Sequence, residues 1–311
     1  MSERELAQLF GRATREMDAR QRARIRQLRG IERELFEVLA RRIVEELDRG
    51  RGTITTSRGS ASIGTLIDAA FSSIERSGLK AFYKDAITDI FGIIGANDAY
   101  HIALAPTVRN LGDKRLKAMQ KEVDRLMRRR MGIDGRGRAI EGGLIDSLTN
   151  SSEVRTRVKE VINAGAASGI PTGRLVRALE ITLKGTRVDP GLLQRQFSPL
   201  IFDTYQYLDR ASSDAYATKL GLDAFIYAGG LIETSRDFCI KRNGKVFSRK
   251  EAEREWPKDP TLPRTKKERE SGVLVGYDPL RDMGRWNCRH RIRFISDALA
   301  EQLRPDLALK P

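Results

Sequence analysis

The chain of 311 residues is poor in the side chains that organise most enzyme centres, with two cysteines, two histidines, two tryptophans and 6% aromatics. Two cysteines exclude a disulfide framework, and a reducing compartment is the default expectation. No run approaches the roughly 20 apolar residues of a bilayer-spanning helix, so no membrane segment is expected. The opening residues MSERELAQLF carry acids at once and lack an apolar core, so no secretory signal is expected either. With no Gly-rich phosphate loop, no HExxH and no G-x-S-x-G, nothing groups the candidate acids and bases, and the chain is expected not to be an enzyme.

What the chain does have is positive charge. Lys plus Arg number 57 against 42 acidic residues, a formal net charge of +15. Such an excess suits a polyanion, and duplex DNA bound without sequence preference is the first candidate, because Lys and Arg release counterions condensed on phosphates. A solvated, solubilising surface is the alternative. The 40% apolar content is enough for cores, and the length leaves room for two domains.

Along the chain the periodicity is mostly helical, and the expected fold is mainly α. An extended helical body is followed by a small α+β C-terminal module with a short antiparallel sheet. Residues 1–49 read as one long helix or a pair jointed at Gly30, opened by a Ser2/Glu5 capping box. Its apolar stripe (Leu6, Phe10, Met17, Ile25, Leu28, then Leu35, Leu39, Ile43, Leu47) is thin before Gly30, which suits either a protruding helix that packs on a partner or a solvated surface helix. Residues 50–62 read as a flexible loop. Residues 63–220 form a helical body, in which His101 is expected to be a packed or capping histidine.

Within that body Asp113 to Met131 is a strongly basic helix with Leu116, Met119, Val123, Leu126 and Met127 as its apolar face. Lys114, Arg115, Lys117, Lys121, Arg125, Arg128, Arg129 and Arg130, continued by Arg136 and Arg138 in the following loop, are the candidate DNA contacts. They would position phosphates without reading bases. Thr172 is expected to cap a short helix ended by Gly185. Pro190 to Leu220 reads as a long helix that Ser198-Pro199 could interrupt.

Residues 221–311 hold both cysteines, both tryptophans and His290. Phe225 to Tyr227 reads as a strand into Gly229-Gly230, Asn243-Gly244 as a hairpin signal before Lys245-Val246-Phe247, and Cys288 to Phe294 as a strand with Cys288, His290 and Ile292 on one face. Ser248 to Ser271 reads as a polar surface excursion, Trp256 and Trp286 as sheet cover, and residues after Asp297 as a last helix stopped by Pro305. Cys239, Cys288 and His290 are three candidate zinc ligands, with Asp237 or Asp282 as a fourth. Two free packed thiols and a disulfide are the alternatives, and no cofactor is required.

The order Thr234-Ser235-Arg236-Asp237-Phe238-Cys239, then Asn243-Gly244-Lys245-Val246-Phe247, then Asn287-Cys288-Arg289-His290 resembles the C-terminal module of tailed-phage minor head proteins of the Mu protein F group. Thr234, Arg236, Cys239, Gly244, Lys245, Asn287, Cys288 and Arg289 carry the resemblance. Ser235 splits the usual Thr-Arg pair, and Arg242 stands where that family has a second cysteine. The resemblance implies a structural role inside the phage head, with the portal as partner and the packaged genome in contact. Major capsid or scaffolding protein is a further expected partner, and assembly would take place in the host cytoplasm. A free basic DNA-binding protein, or a phage-associated nuclease or toxin, are the alternatives.

Overall fold

The structure is a computed structural model that describes residues 3–48, 59–104, 113–136, 140–141 and 152–307. The fold is mainly helical, with one small antiparallel sheet near the C-terminus. The helices before the sheet are α1 (Glu3–Asp48), α2 (Gly59–Ile74), α3 (Lys80–Leu104), α4 (Asp113–Met131), α5 (Ser152–Ala167), α6 (Thr172–Lys184) and α7 (Leu192–Leu220), with a π-helical turn (Glu75–Leu79) between α2 and α3. Then follow β1 (Ala224–Ala228), α8 (Asp237–Arg242), β2 (Val246–Ser248), α9 (Arg249–Glu255), α10 (Lys266–Ser271), α11 (Pro279–Asp282), β3 (Arg291–Ile295) and α12 (Asp297–Leu303).

Several local expectations are corrected. Gly30 is no joint, for α1 runs through it: the glycine is exposed, while Leu28, Ile31, Leu35, Leu39 and Ile43 on the opposite face are buried. A helix-interior glycine costs only about 1 kcal/mol, less than that burial returns. The loop read at 50–62 ends early, because Gly59 to Ser62 already belong to α2. Residues 49–58, the Ser2 cap and Pro106 lie outside the described residues. Pro171, not Thr172, occupies the N-cap of α6, and α7 continues through Pro199.

The chain divides into two compact units, one of residues 1–18, 89–136 and 202–311, the other of residues 19–88 and 137–201. In the second, the α1 stripe from Leu28 to Ile43 is buried alongside Ile67, Phe71, Ile74, Val158, Leu179 and Leu183. This richer part of the stripe is internal to its unit. Its buried Glu32 accepts from the Gln194 backbone N–H at 2.7 Å and from Gln194 Nε2 at 2.8 Å, satisfying donors in the first turn of α7. Burial nonetheless raises the Glu32 pKa above the ordinary carboxylate value.

The first unit holds the sheet, in the order β2-β1-β3, with β1 antiparallel to both neighbours. Phe225 pairs with Phe247 on one side and Phe294 on the other. Asn243-Gly244 makes no tight hairpin, because Asp237–Arg242 is helical. Gly244 at φ 78° instead turns the end of α8 into β2, and its N–H reaches Tyr227 O at 2.8 Å. The supposed polar excursion is folded. Ser248/Glu251 and Thr265/Glu268 form capping boxes for α9 and α10, and between them Trp256, 1% exposed, packs edge-on against Phe225, Tyr227, Phe238 and Phe247. Trp286, by contrast, is exposed, beneath the Arg285 guanidinium at 4.4 Å.

Candidate functional site

Three elements converge on one buried cluster. β1 supplies Tyr227, α8 supplies Cys239, and the segment leading into β3 supplies Cys288 and His290. The two sulfurs stand 3.9 Å apart as free cysteines, and Cys288 Sγ is 3.9 Å from His290 Nδ1. The ligand atoms of Cys239, Cys288 and His290 all lie within 4.8 Å of one another. Asp237 and Asp282 are outside this group; Asp282 instead accepts from the Asp278 N–H at 2.7 Å.

The backbone works to bring these groups together. Met283, Arg285 and Asn287 all have positive φ, at 50°, 64° and 54°, a conformation that costs non-glycine residues of order 1–3 kcal/mol each. Between the first two, Gly284 lies so close to the cluster that a Cβ there would stand 2.6 Å from Cys239 Sγ and 3.1 Å from Cys288 Sγ. Gly229 is equally tight against the His290 ring, where a Cβ would meet Cδ2 at 2.8 Å. Arg210 of α7 fixes the segment from the other side, donating to His290 O through Nε (3.0 Å) and Nη2 (2.8 Å), to Cys288 O at 2.5 Å and to Arg281 O at 3.1 Å. Arg236 Nη1 donates to Gly284 O at 3.0 Å, and the Asn287 N–H to Asp203 Oδ1 at 2.7 Å.

Electrostatically the thiols are unequal. The hydrogen bond from Cys239 and the Arg210 charge favour the thiolate at Cys288, whose pKa falls well below the ordinary thiol value, while donation to Cys288 and burial push Cys239 up. The Tyr227 hydroxyl donates to Cys239 Sγ at 3.3 Å and lies 3.7 Å from Cys288 Sγ, and its ring stacks on His290 at 4.9 Å. Burial, with two sulfurs alongside, raises the Tyr227 pKa and keeps its proton in place. His290 is 2% exposed, and its Nε2 has no hydrogen-bond partner among the described residues.

The cluster forms one wall of a cavity of about 340 Å³ that Thr234, Arg236, Asn287 and Arg289 also line. Six of the eight residues that carry the family resemblance therefore meet at one place, although Cys239 and Cys288 are 49 positions apart. Gly244 and Lys245 do not join them; they lie immediately before β2. Tyr227, Gly284 and Arg210 are members that sequence reasoning missed. Gly284 had a local signal, as a glycine four residues before a cysteine, but the other two reach the cluster through tertiary packing.

The basic helix is the second candidate surface. On α4, Met119, Val123, Met127 and Met131 are buried, whereas Leu126, read as part of the apolar face, is exposed. Lys114, Lys117, Lys121, Arg125 and Arg129 are exposed, as is Arg136 beyond the helix. Arg128 differs, being half-buried in an ion pair with Asp124 (2.8 Å) and set over the Phe91 ring at 4.5 Å. The side chains of Arg115 and Arg130, and the whole of Arg138, lie outside the described residues. Lys117, Lys121, Arg125 and Arg129 recur every fourth residue, a row about 18 Å long at 1.5 Å per residue.

His101 is fully buried in α3, with Nδ1 2.7 Å from Asn97 O and its ring stacked on Tyr216, the packed histidine that was expected. No described helix is long and apolar enough to cross a membrane. No protein-family model, curated protein or solved structure matches the chain.

Proposed function

We propose that the chain is a structural minor head protein of a tailed bacteriophage, held with the portal inside the head and in contact with packaged duplex DNA during assembly and ejection. The observation that carries this reading is the convergence of Thr234, Arg236, Cys239, Asn287, Cys288 and Arg289 on one cavity. Residues that mark the Mu protein F group in separate stretches of sequence share one structural task here, as members of a common module would.

The DNA-facing element in this reading is the row Lys117, Lys121, Arg125 and Arg129, which projects to solvent from an anchored helix. With no aromatic side chain on α4 to stack on bases, contact is with phosphates and independent of sequence. For the portal or another head protein, α1 offers exposed Arg22, Arg26, Arg33 and Arg41 while its apolar stripe is internal, so the partner surface is acidic and the contact salt-sensitive. A free basic DNA-binding protein would use the same α4 row, and retention by the portal separates the two readings.

Replacing Lys117, Lys121, Arg125 and Arg129 together by Gln tests the DNA contact. The slope of log affinity against log salt for duplex DNA is expected to fall by about 3–4, at about 0.9 per phosphate released. An unchanged slope would remove α4 from the interface. Immobilised portal is expected to retain the wild-type chain at low salt and release it at high salt; no retention at low salt would favour the free DNA-binding reading.

A further inference from the structure

We infer that Cys239, Cys288 and His290 form a zinc site with three protein ligands and a fourth position open to the adjoining cavity. The inference rests on the geometry of the C-terminal module alone and stands or falls independently of the phage-head reading.

The spacing comes first. Tetrahedral zinc with bonds of about 2.3 Å to sulfur and about 2.0 Å to nitrogen separates its ligand atoms by about 3.8 Å for S···S and about 3.5 Å for S···N. The observed separations are 3.9 Å for Cys239 Sγ to Cys288 Sγ and 3.9 Å for Cys288 Sγ to His290 Nδ1, within a few tenths of an ångström of those values. The third pair, Cys239 to His290, lies within 4.8 Å and closes by at most about 1.3 Å. A disulfide would need the sulfurs to close to about 2.05 Å, nearly 2 Å nearer.

Next is what the cluster lacks without a metal. His290 is buried, its Nε2 has no partner among the described residues, and Nδ1 faces only a long contact to sulfur. A metal at Nδ1 replaces that long contact with a bond and leaves the ring proton on Nε2. Two thiolates and an imidazole are a soft, compact donor set that suits zinc better than magnesium or calcium.

The surroundings fit the same reading. Gly284 and Gly229 are the positions where a Cβ would intrude on the sulfurs and on the imidazole, and strained backbone on both sides of Gly284 is retained. Arg210 holds the carbonyls of both Cys288 and His290, and the Tyr227 hydroxyl donates toward sulfur, an outer-shell hydrogen bond of the kind that orients ligands. A carboxylate is absent from the group among the described residues, so solvent in the cavity supplies the fourth ligand.

The test uses the full chain purified under reducing conditions without chelator. Elemental analysis is expected to give about one zinc per chain, and replacement by cobalt to give tetrahedral d–d bands with sulfur-to-cobalt charge transfer. The double variant Cys239→Ser/Cys288→Ser is expected to lose both signals. Because it could fail to fold, His290→Cys is made alongside, where a third thiolate keeps the metal and strengthens the charge-transfer band. Tyr227→Phe is expected to keep the metal with affinity lowered about 10-fold. Folded, reduced wild-type protein that binds neither zinc nor cobalt would overturn the inference, as would a Cys239–Cys288 disulfide in protein isolated with thiols blocked, or loss of metal from a folded His290→Cys variant.

Discussion

His101 should make the stability of its unit fall steeply on mild acidification. It is 0% exposed, sandwiched between the Tyr216 face at 5.1 Å and the Tyr100 edge at 5.2 Å, and its Nε2 has no hydrogen-bond partner among the described residues. Burial lowers its pKa from 6.5 to about 4, although the Nδ1 hydrogen bond to Asn97 O pulls the other way. The folded state therefore holds the ring neutral while the unfolded chain protonates it near its ordinary value. This contribution to stability is complete above about pH 6.5 and is lost as pH falls toward about 4. At about 1.36 kcal/mol per pH unit the whole loss is roughly 3 kcal/mol, of which roughly 2 kcal/mol falls between about pH 7 and pH 5, above most carboxylate titration. Both tryptophans belong to the same unit as His101, so urea unfolding followed by tryptophan fluorescence reports on it. His101→Leu should lose roughly 2 kcal/mol less than wild type between those two pH values. Equal losses in the two proteins would refute the reasoning.

Trp256→Ala should destabilise the C-terminal module by about 3–5 kcal/mol in urea unfolding followed by circular dichroism, because it empties the space shared by Phe225, Tyr227, Phe238 and Phe247. Glu32→Ala should cost about 1–3 kcal/mol in calorimetry of the whole chain, since it strands two Gln194 donors in a buried setting, and Glu32→Gln should cost less. Glu268 accepts from Arg285 at 2.6 and 3.0 Å and from the Thr265 N–H, which depresses its pKa to about 2. Its stabilising effect is present above about pH 4.5 and lost as pH falls toward about 2; Glu268→Gln should flatten the melting-temperature profile of wild type across that window.

Much of the helical architecture was legible because it is written in local periodicity. The basic helix begins and ends at Asp113 and Met131, and the last helix stops at Leu303, two residues before Pro305. The errors have identifiable physical origins. Gly30 carries a turn-forming preference, but buried neighbours on the far side of α1 outweigh it. Asn243-Gly244 is a hairpin signal only when a strand precedes it, and here α8 does. The polar stretch after β2 reads by composition as a surface excursion, yet Ser248-x-x-Glu251 and Thr265-x-x-Glu268 were readable capping boxes within it. The cluster itself was half legible: its cysteines and histidine could be named, whereas Arg210 bonding to the Cys288 and His290 carbonyls across some 80 positions leaves no local trace.

The most direct test of the account is quantitative mass spectrometry of purified phage particles, full and emptied, produced from the genome that encodes this chain. A minor head protein should appear at a few copies per particle, and depletion from emptied particles would add ejection with the genome. Absence from both preparations would contradict the account.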